Sequence, residues 1–95
     1  MERQAKVKCE ISQGMFPSER VAKITLPDGR KIFAIVDKEF VESEAEPSLD
    51  KYVNGKLKVS IIGEEEEEVW INMPGQGFAN GSRIKIPKSF LEMEK

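Results

Sequence analysis

Histidine is absent from this chain of 95 residues, and cysteine occurs once. Without an imidazole, no side chain has an ordinary pKa near neutrality to serve as a general base. Nor is there a His/Cys set to hold zinc. The serines have no His or Lys partner at a recognisable spacing for nucleophilic catalysis. Carboxylate pairs are arithmetically available among 17 acids, but these sit in a turn, at Asp28, or in solvated runs. The chain therefore reads as a non-enzymatic protein with no catalytic residue, no metal and no cofactor. The lone Cys9 cannot close an internal disulfide, and its place between Val7 and Ile11 makes it a small apolar core residue.

Other scarcities narrow the class further. No apolar run approaches the ~18 residues that a membrane helix needs. The opening Met1–Lys6 stretch leads into no signal-peptide core. Together with the unpaired thiol, this leads to an expectation of a cytoplasmic protein with no membrane partner. Charge of one sign is also lacking: 15 Lys and Arg stand against 17 Asp and Glu, for a net charge of -2. That balance argues against a constitutive nucleic-acid coat but leaves room for a local basic patch. Aromatics are few, with five Phe, one Tyr and one Trp, and several must serve the core. No internal repeat is evident from the residues.

What the chain does have is alternation. Val7, Cys9 and Ile11 are separated by Lys8 and Glu10, and Leu57, Val59 and Ile61 by Lys58 and Ser60. Val69, Ile71 and Met73 repeat the pattern, as do Ile84 and Ile86 around Lys85. Period two marks strands with one buried and one wet face. Strands are predicted over 5–11, 20–26, 30–36, 56–62, 69–73 and 82–86. Pro27-Asp28-Gly29 supplies a tight turn. In the third strand Ile32, Ala34 and Val36 share one face and Phe33 and Ile35 the other, which predicts a central strand covered on both sides. Strand two is ambiguous in phase, because Ala22, Ile24 and Leu26 compete with Val21. Such a chain makes a single domain over 1–95, an all-β, five- to six-stranded antiparallel barrel of SH3-like or OB-like type.

One long acidic connection, 37–55, interrupts the strands, with Asp37, Glu39, Glu42, Glu44, Glu46 and Asp50 against Lys38. Phe40 and Val41 can anchor a short helical turn that Pro47 ends. Asn54-Gly55 reads either as a type I′ hairpin turn or as the C-cap of a helical turn through Leu49, Tyr52 and Val53. The tail 88–95 follows Pro87, and a short helix there would let Phe90 and Leu91 plug the barrel. The run Glu64–Glu68 serves solubility and edge shielding, or docks a basic partner. It lacks the spacing of a calcium loop.

Three places could carry function. The loop Gly14-Met15-Phe16-Pro17 holds large apolar residues where loops are ordinarily polar. Met15, Phe16 and Pro17 either form an apolar tip that anchors a protein partner, or Phe16 folds back over an open barrel end. The glycine-rich Gly75–Gly81 loop lacks the Lys-Ser/Thr and the following helix of a phosphate-binding P-loop, and reads as a wide hairpin with Phe78 inward. The outward positions Lys6, Lys8, Lys56, Lys58, Arg83 and Lys85 would make one basic face near Trp70 or Phe33 if their strands adjoin. Small barrels hold RNA or single-stranded DNA on such faces, and ordinary solvated sheet faces look the same in sequence.

Gly14-Met15-Phe16 followed by Ser18-Glu19, a strand, a turn and then Asp37-Lys38 with Val41 resembles a group of short, uncharacterised bacterial all-β proteins. The resemblance covers most of the chain. It implies that the loop and the strand order are family features, and it supplies no activity to transfer. The Glu64–Glu68 run is peculiar to this chain. The expectation is a binding module, a protein–protein adaptor or regulatory subunit, monomeric or weakly homodimeric. The alternative is a nucleic-acid-binding barrel.

Overall fold

The computed structural model describes residues 3–74 and 83–93. The Gly75–Gly81 loop and the start of the sixth predicted strand at Ser82 lie outside the described residues. Eight strands form: β1 (Arg3–Gln13), β2 (Glu19–Thr25), β3 (Lys31–Asp37), β4 (Val41–Ser43), β5 (Val53–Glu64), β6 (Glu68–Asn72), β7 (Arg83–Pro87) and β8 (Leu91–Met93). Six of them make one curled antiparallel sheet in the order β3-β2-β1-β5-β6-β7, a half-barrel. The short β4 and β8 lie off this path, β4 against β5 and β8 against β1.

The alternation read from the sequence carries the core. Val7, Ile11, Leu57, Val59, Ile61, Val69, Ile71 and Ile86 all point into the curl and are buried. Strand β2 takes the Ala22, Ile24, Leu26 phase, leaving Val21 outside. Cys9 is half-buried against that core, and its burial and the neighbouring Glu10 push the thiol up to about 12. At Pro27-Asp28-Gly29 the predicted turn forms, with Gly29 at φ 92°. Leu26 N–H donates to Arg30 C=O at 2.8 Å and closes the hairpin.

Two expectations need correction. Strand β3 is not central but ends the sheet path, and its outward Phe33 and Ile35 are half exposed. Its apolar second face is uncovered because, among the described residues, no layer lies outside the curl there. Asn54-Gly55 is neither a hairpin turn nor a helix cap. Both residues lie inside β5, opposite Glu10 and Cys9 of β1. A side chain at Gly55 would collide with the Glu42 carbonyl oxygen and Ile11 Cδ1. Glycine is there for close approach, not for a turn.

The architecture is duplicated, although no internal repeat is evident in the residues. Each half runs three strands, a 3-10 turn and a short return strand. The turns are Lys38–Phe40 and Lys88–Phe90. Second-half residues are numbered 50 above their counterparts, as Lys56 is above Lys6 and Phe90 above Phe40. Strand β1 pairs with β5 about a pseudo-twofold at Val7↔Leu57, so Lys6↔Lys58 and Lys8↔Lys56 are related pairs. Strand β4 lies on β5 with Glu42↔Lys56, as β8 lies on β1 with Lys6↔Glu92. The signal is weak in the chain, no more than Lys-x-Lys and Lys-x-Phe-(Val/Leu)-Glu repeated at that spacing.

Candidate functional site

The loop between β1 and β2 is tightly knit. Gly14 N–H donates to Glu19 C=O at 2.9 Å, and Glu19 N–H donates to Phe16 C=O at 2.9 Å. Arg20 Nη1 donates to the carbonyls of Pro17 and Glu19 at 2.9 and 2.8 Å. Gly14 is needed because a Cβ there would sit 2.5 Å from Glu19 Cβ. On this frame Met15 is 89% exposed and Phe16 61% exposed. The fold-back of Phe16 over the barrel end does not occur. Lys38 N–H donates to Ser18 C=O at 2.7 Å, which ties the loop to the start of the acidic connection. Gln13 N–H donates to Ser48 C=O at 3.1 Å, which brings Leu49, also largely exposed, toward the same end. Leu49 was not singled out by sequence, although a leucine between Pro47 and Asp50 in an acidic segment was the available signal. An exposed apolar tip is thus joined to chain segments carrying Asp37, Glu39, Glu46 and Asp50.

The second candidate surface is the outer face of β1 and β5. Lys6, Lys8, Lys56 and Lys58 meet there as two directly opposed cross-strand pairs. Like charges facing across a ladder repel. The return strands compensate: Lys6 Nζ lies 2.6 Å from Glu42, and Lys56 Nζ lies 2.5 Å from Glu92, a pseudo-symmetric cross. The Lys6 ammonium holds the Glu42 carboxyl below its ordinary range, chiefly through that hydrogen bond. Lys56 does the same for Glu92. Lys8 and Lys58 have no carboxylate at ion-pair distance among the described residues. Arg83 and Lys85 stand apart from this cluster on β7, opposite Asn72 and Trp70. Lys85 lies 5.4 Å from the Trp70 ring centroid and near Glu65 and Glu68 at 3.6 and 3.7 Å. Four of the six predicted cations therefore converge, while Arg83 and Lys85 lie apart on β7, Lys85 screened by Glu65 and Glu68.

Clefts flank the lysine cluster. One of about 350 Å³ is lined by Lys8, Cys9, Glu10, Lys23, Thr25, Ser89 and Phe90, with Lys23 paired to Glu10 at 3.4 Å. Its pseudo-symmetric mate of about 190 Å³ is lined by Lys58, Asn72, Pro74, Ser60 and Phe40. Each combines an ammonium lacking a carboxylate partner with a phenyl ring from a 3-10 turn. The Glu64–Glu68 run occupies the second-half position of the Met15-Phe16 loop. There Glu64 pairs with Arg3 and with Lys88 at 3.5 Å, and Glu65 accepts from Trp70 Nε1 at 3.1 Å. The run is therefore partly spent on intramolecular contacts. No group of three or more metal-ligating side chains is present among the described residues. Among the same residues no helix is long and apolar enough to cross a membrane. Comparison of the chain with protein-family models, curated proteins and solved structures finds no match.

Proposed function

We propose that this chain is a cytoplasmic, non-enzymatic binding module, an adaptor or regulatory subunit that engages a protein partner through the Met15-Phe16-Pro17 tip. The observation that carries this reading is the exposure of Met15 and Phe16 on a hydrogen-bonded loop. Large apolar side chains held rigidly in water are costly unless something covers them. A pre-ordered anchor binds with little further entropy cost. The carboxylates on the joined segments favour a partner with a basic rim around an apolar pocket, and steer its approach. Small barrels of SH3-like and OB-like type are the functional precedent for binding on this scale.

The convergence of Lys6, Lys8, Lys56 and Lys58 favours a second reading, an RNA- or single-stranded-DNA-binding face. Capture from bacterial lysate, with and without nuclease, separates the two. On the first reading Phe16→Ser loses a nuclease-resistant protein ligand by roughly 30-fold or more, the size of a hot-spot truncation, while moderate salt leaves wild-type binding in place. On the second, Lys8→Glu with Lys58→Glu abolishes binding of a labelled poly-U oligonucleotide. Wild-type affinity for it falls steeply with salt, because each neutralised phosphate releases counterions. Retention of the same protein ligand by Phe16→Ser removes the adaptor reading.

A further inference from the structure

The two ends of the sheet occupy equivalent places in a duplicated fold, yet they are built differently. Strand β7 carries outward Arg83 and Lys85 and finishes at Pro87. Charge and proline are how natural sheets guard an open edge. Strand β3, its counterpart, puts Phe33 and Ile35 at the matching outward positions, 50% and 53% exposed. No strand pairs with its outer edge among the described residues. The duplication thus acts as an internal control: the same edge is guarded in one half and left open in the other.

The phase of the ladder says what that edge can accept. The Leu26 N–H to Arg30 C=O bond makes this a bonded pair, and bonded and non-bonded pairs alternate in an antiparallel ladder. With Ile24↔Ile32 and Ala22↔Ala34 in register, Ile32, Ala34 and Val36 spend their backbone groups on β2. Lys31, Phe33, Ile35 and Asp37 turn theirs to the open edge. The strand reads Lys-Ile-Phe-Ala-Ile-Val-Asp, which is self-complementary when reversed about Ala34. An antiparallel second β3 centred there sets Lys31 against Asp37, Phe33 against Ile35, and Ile32 against Val36. Every bonded pair then falls on residues whose N–H and C=O point outward, which gives roughly eight new hydrogen bonds. Lys31 has no ion pair among the described residues. Asp37 uses Oδ1 to accept from Glu39 N–H at 3.3 Å, which leaves its second oxygen. Shifting the register by two residues sets Phe33 on Phe33 or Ile35 on Ile35, and loses the Lys31–Asp37 match.

We infer that β3 is a homodimerisation edge: two copies of this chain join β3 to β3 across a twofold at Ala34, extending the half-barrels into one continuous sheet. The occupant is a second copy because the charge match is with the strand's own reverse. The interface is independent of the Met15-Phe16 tip.

Sedimentation equilibrium from about 5 to 500 µM, a range set to span weak self-association, tests this. Hydrogen exchange over the same range reads the edge amides. Wild type is expected to shift from monomer to dimer mass. The Phe33 and Ile35 amides gain protection as concentration rises, while the Ala34 amide, bonded within the monomer, does not change. Ile35→Lys, which places on β3 the residue type that Lys85 already supplies on β7, weakens association at least about tenfold. Lys31→Glu also weakens it, and the double exchange Lys31→Glu with Asp37→Lys restores it. Monomer mass throughout overturns the inference, as does undiminished dimer in Ile35→Lys or a double exchange no better than the single one. A Phe16→Ser variant dimerises as wild type does, so failure here and failure of the adaptor reading are distinguishable.

Discussion

Gly55 shows how one residue can be misread by its neighbours. Beside Asn54 it suggests a turn, but in the fold it lets β4 cross β5 closely. Its counterpart at the β1–β8 crossing is Ala5, likewise small, and fully buried where Gly55 is half-buried. Gly55→Ala should destabilise the protein by about 1–3 kcal/mol, because the blocking atoms include backbone that cannot rotate away. A lower urea midpoint with an unchanged slope would show this, and an unchanged midpoint would count against the close approach. Cys9 was legible from its alternation, and its environment completes the account. With the thiol pushed up to about 12, almost no thiolate exists at pH 8. A thiol reagent should leave Cys9 largely unmodified in the native protein and label it promptly in denaturant. Rapid native labelling would mean that the strand opens readily.

Among the elements, the return strands β4 and β8 have the least hydrophobic support, three residues each, and sit where like-charged pairs need relief. Glu42 and Glu92 supply it, and both titrate below their ordinary range because Lys6 and Lys56 hydrogen-bond the charged form. A depressed folded-state pKa contributes stability that is present above the unfolded value and lost as pH falls through the folded one. Glu42→Gln with Glu92→Gln should therefore lower the urea midpoint at neutral pH. The difference from wild type should close on acidification through the carboxylate range. A difference that persists in acid would assign the loss to packing instead. Neither return strand was visible as a strand in the sequence. Val41-Glu42-Ser43 and Leu91-Glu92-Met93 are too short for periodicity to register, and their ladder partners lie far along the chain. A helical turn ending at Pro47 and a short helix in the tail 88–95 are expected there; what forms in each is a single 3-10 turn, Lys38–Phe40 and Lys88–Phe90, followed at once by a return strand. Strand β3 was visible as a strand but misplaced. Apolar residues on both faces are read as central burial, and an open edge built for pairing has the same composition.

At the scale of the molecule, the chain is two similar units about a pseudo-twofold that runs through the Val7–Leu57 pair. Duplication explains why the lysines come in opposed sets, why two phenylalanines end two 3-10 turns, and why the two clefts beside Phe40 and Phe90 are related. Divergence between the halves points to where use differs: Met15-Phe16 against the five glutamates, and Phe33-Ile35 against Arg83-Lys85. The all-β class and nearly the whole core could be read from residues alone, because a period of two is local and hydrophobic burial follows it directly. Val7, Leu57, Val59, Ile71 and Ile86 needed no tertiary information to be placed inside. Strand order, the meeting of Lys6, Lys8, Lys56 and Lys58, the exposure of Phe16 and the open edge of β3 did need it. Each depends on which distant strands pair and which side of the sheet stays uncovered. Those are long-range outcomes of closing the curl, and adjacent residues do not encode them.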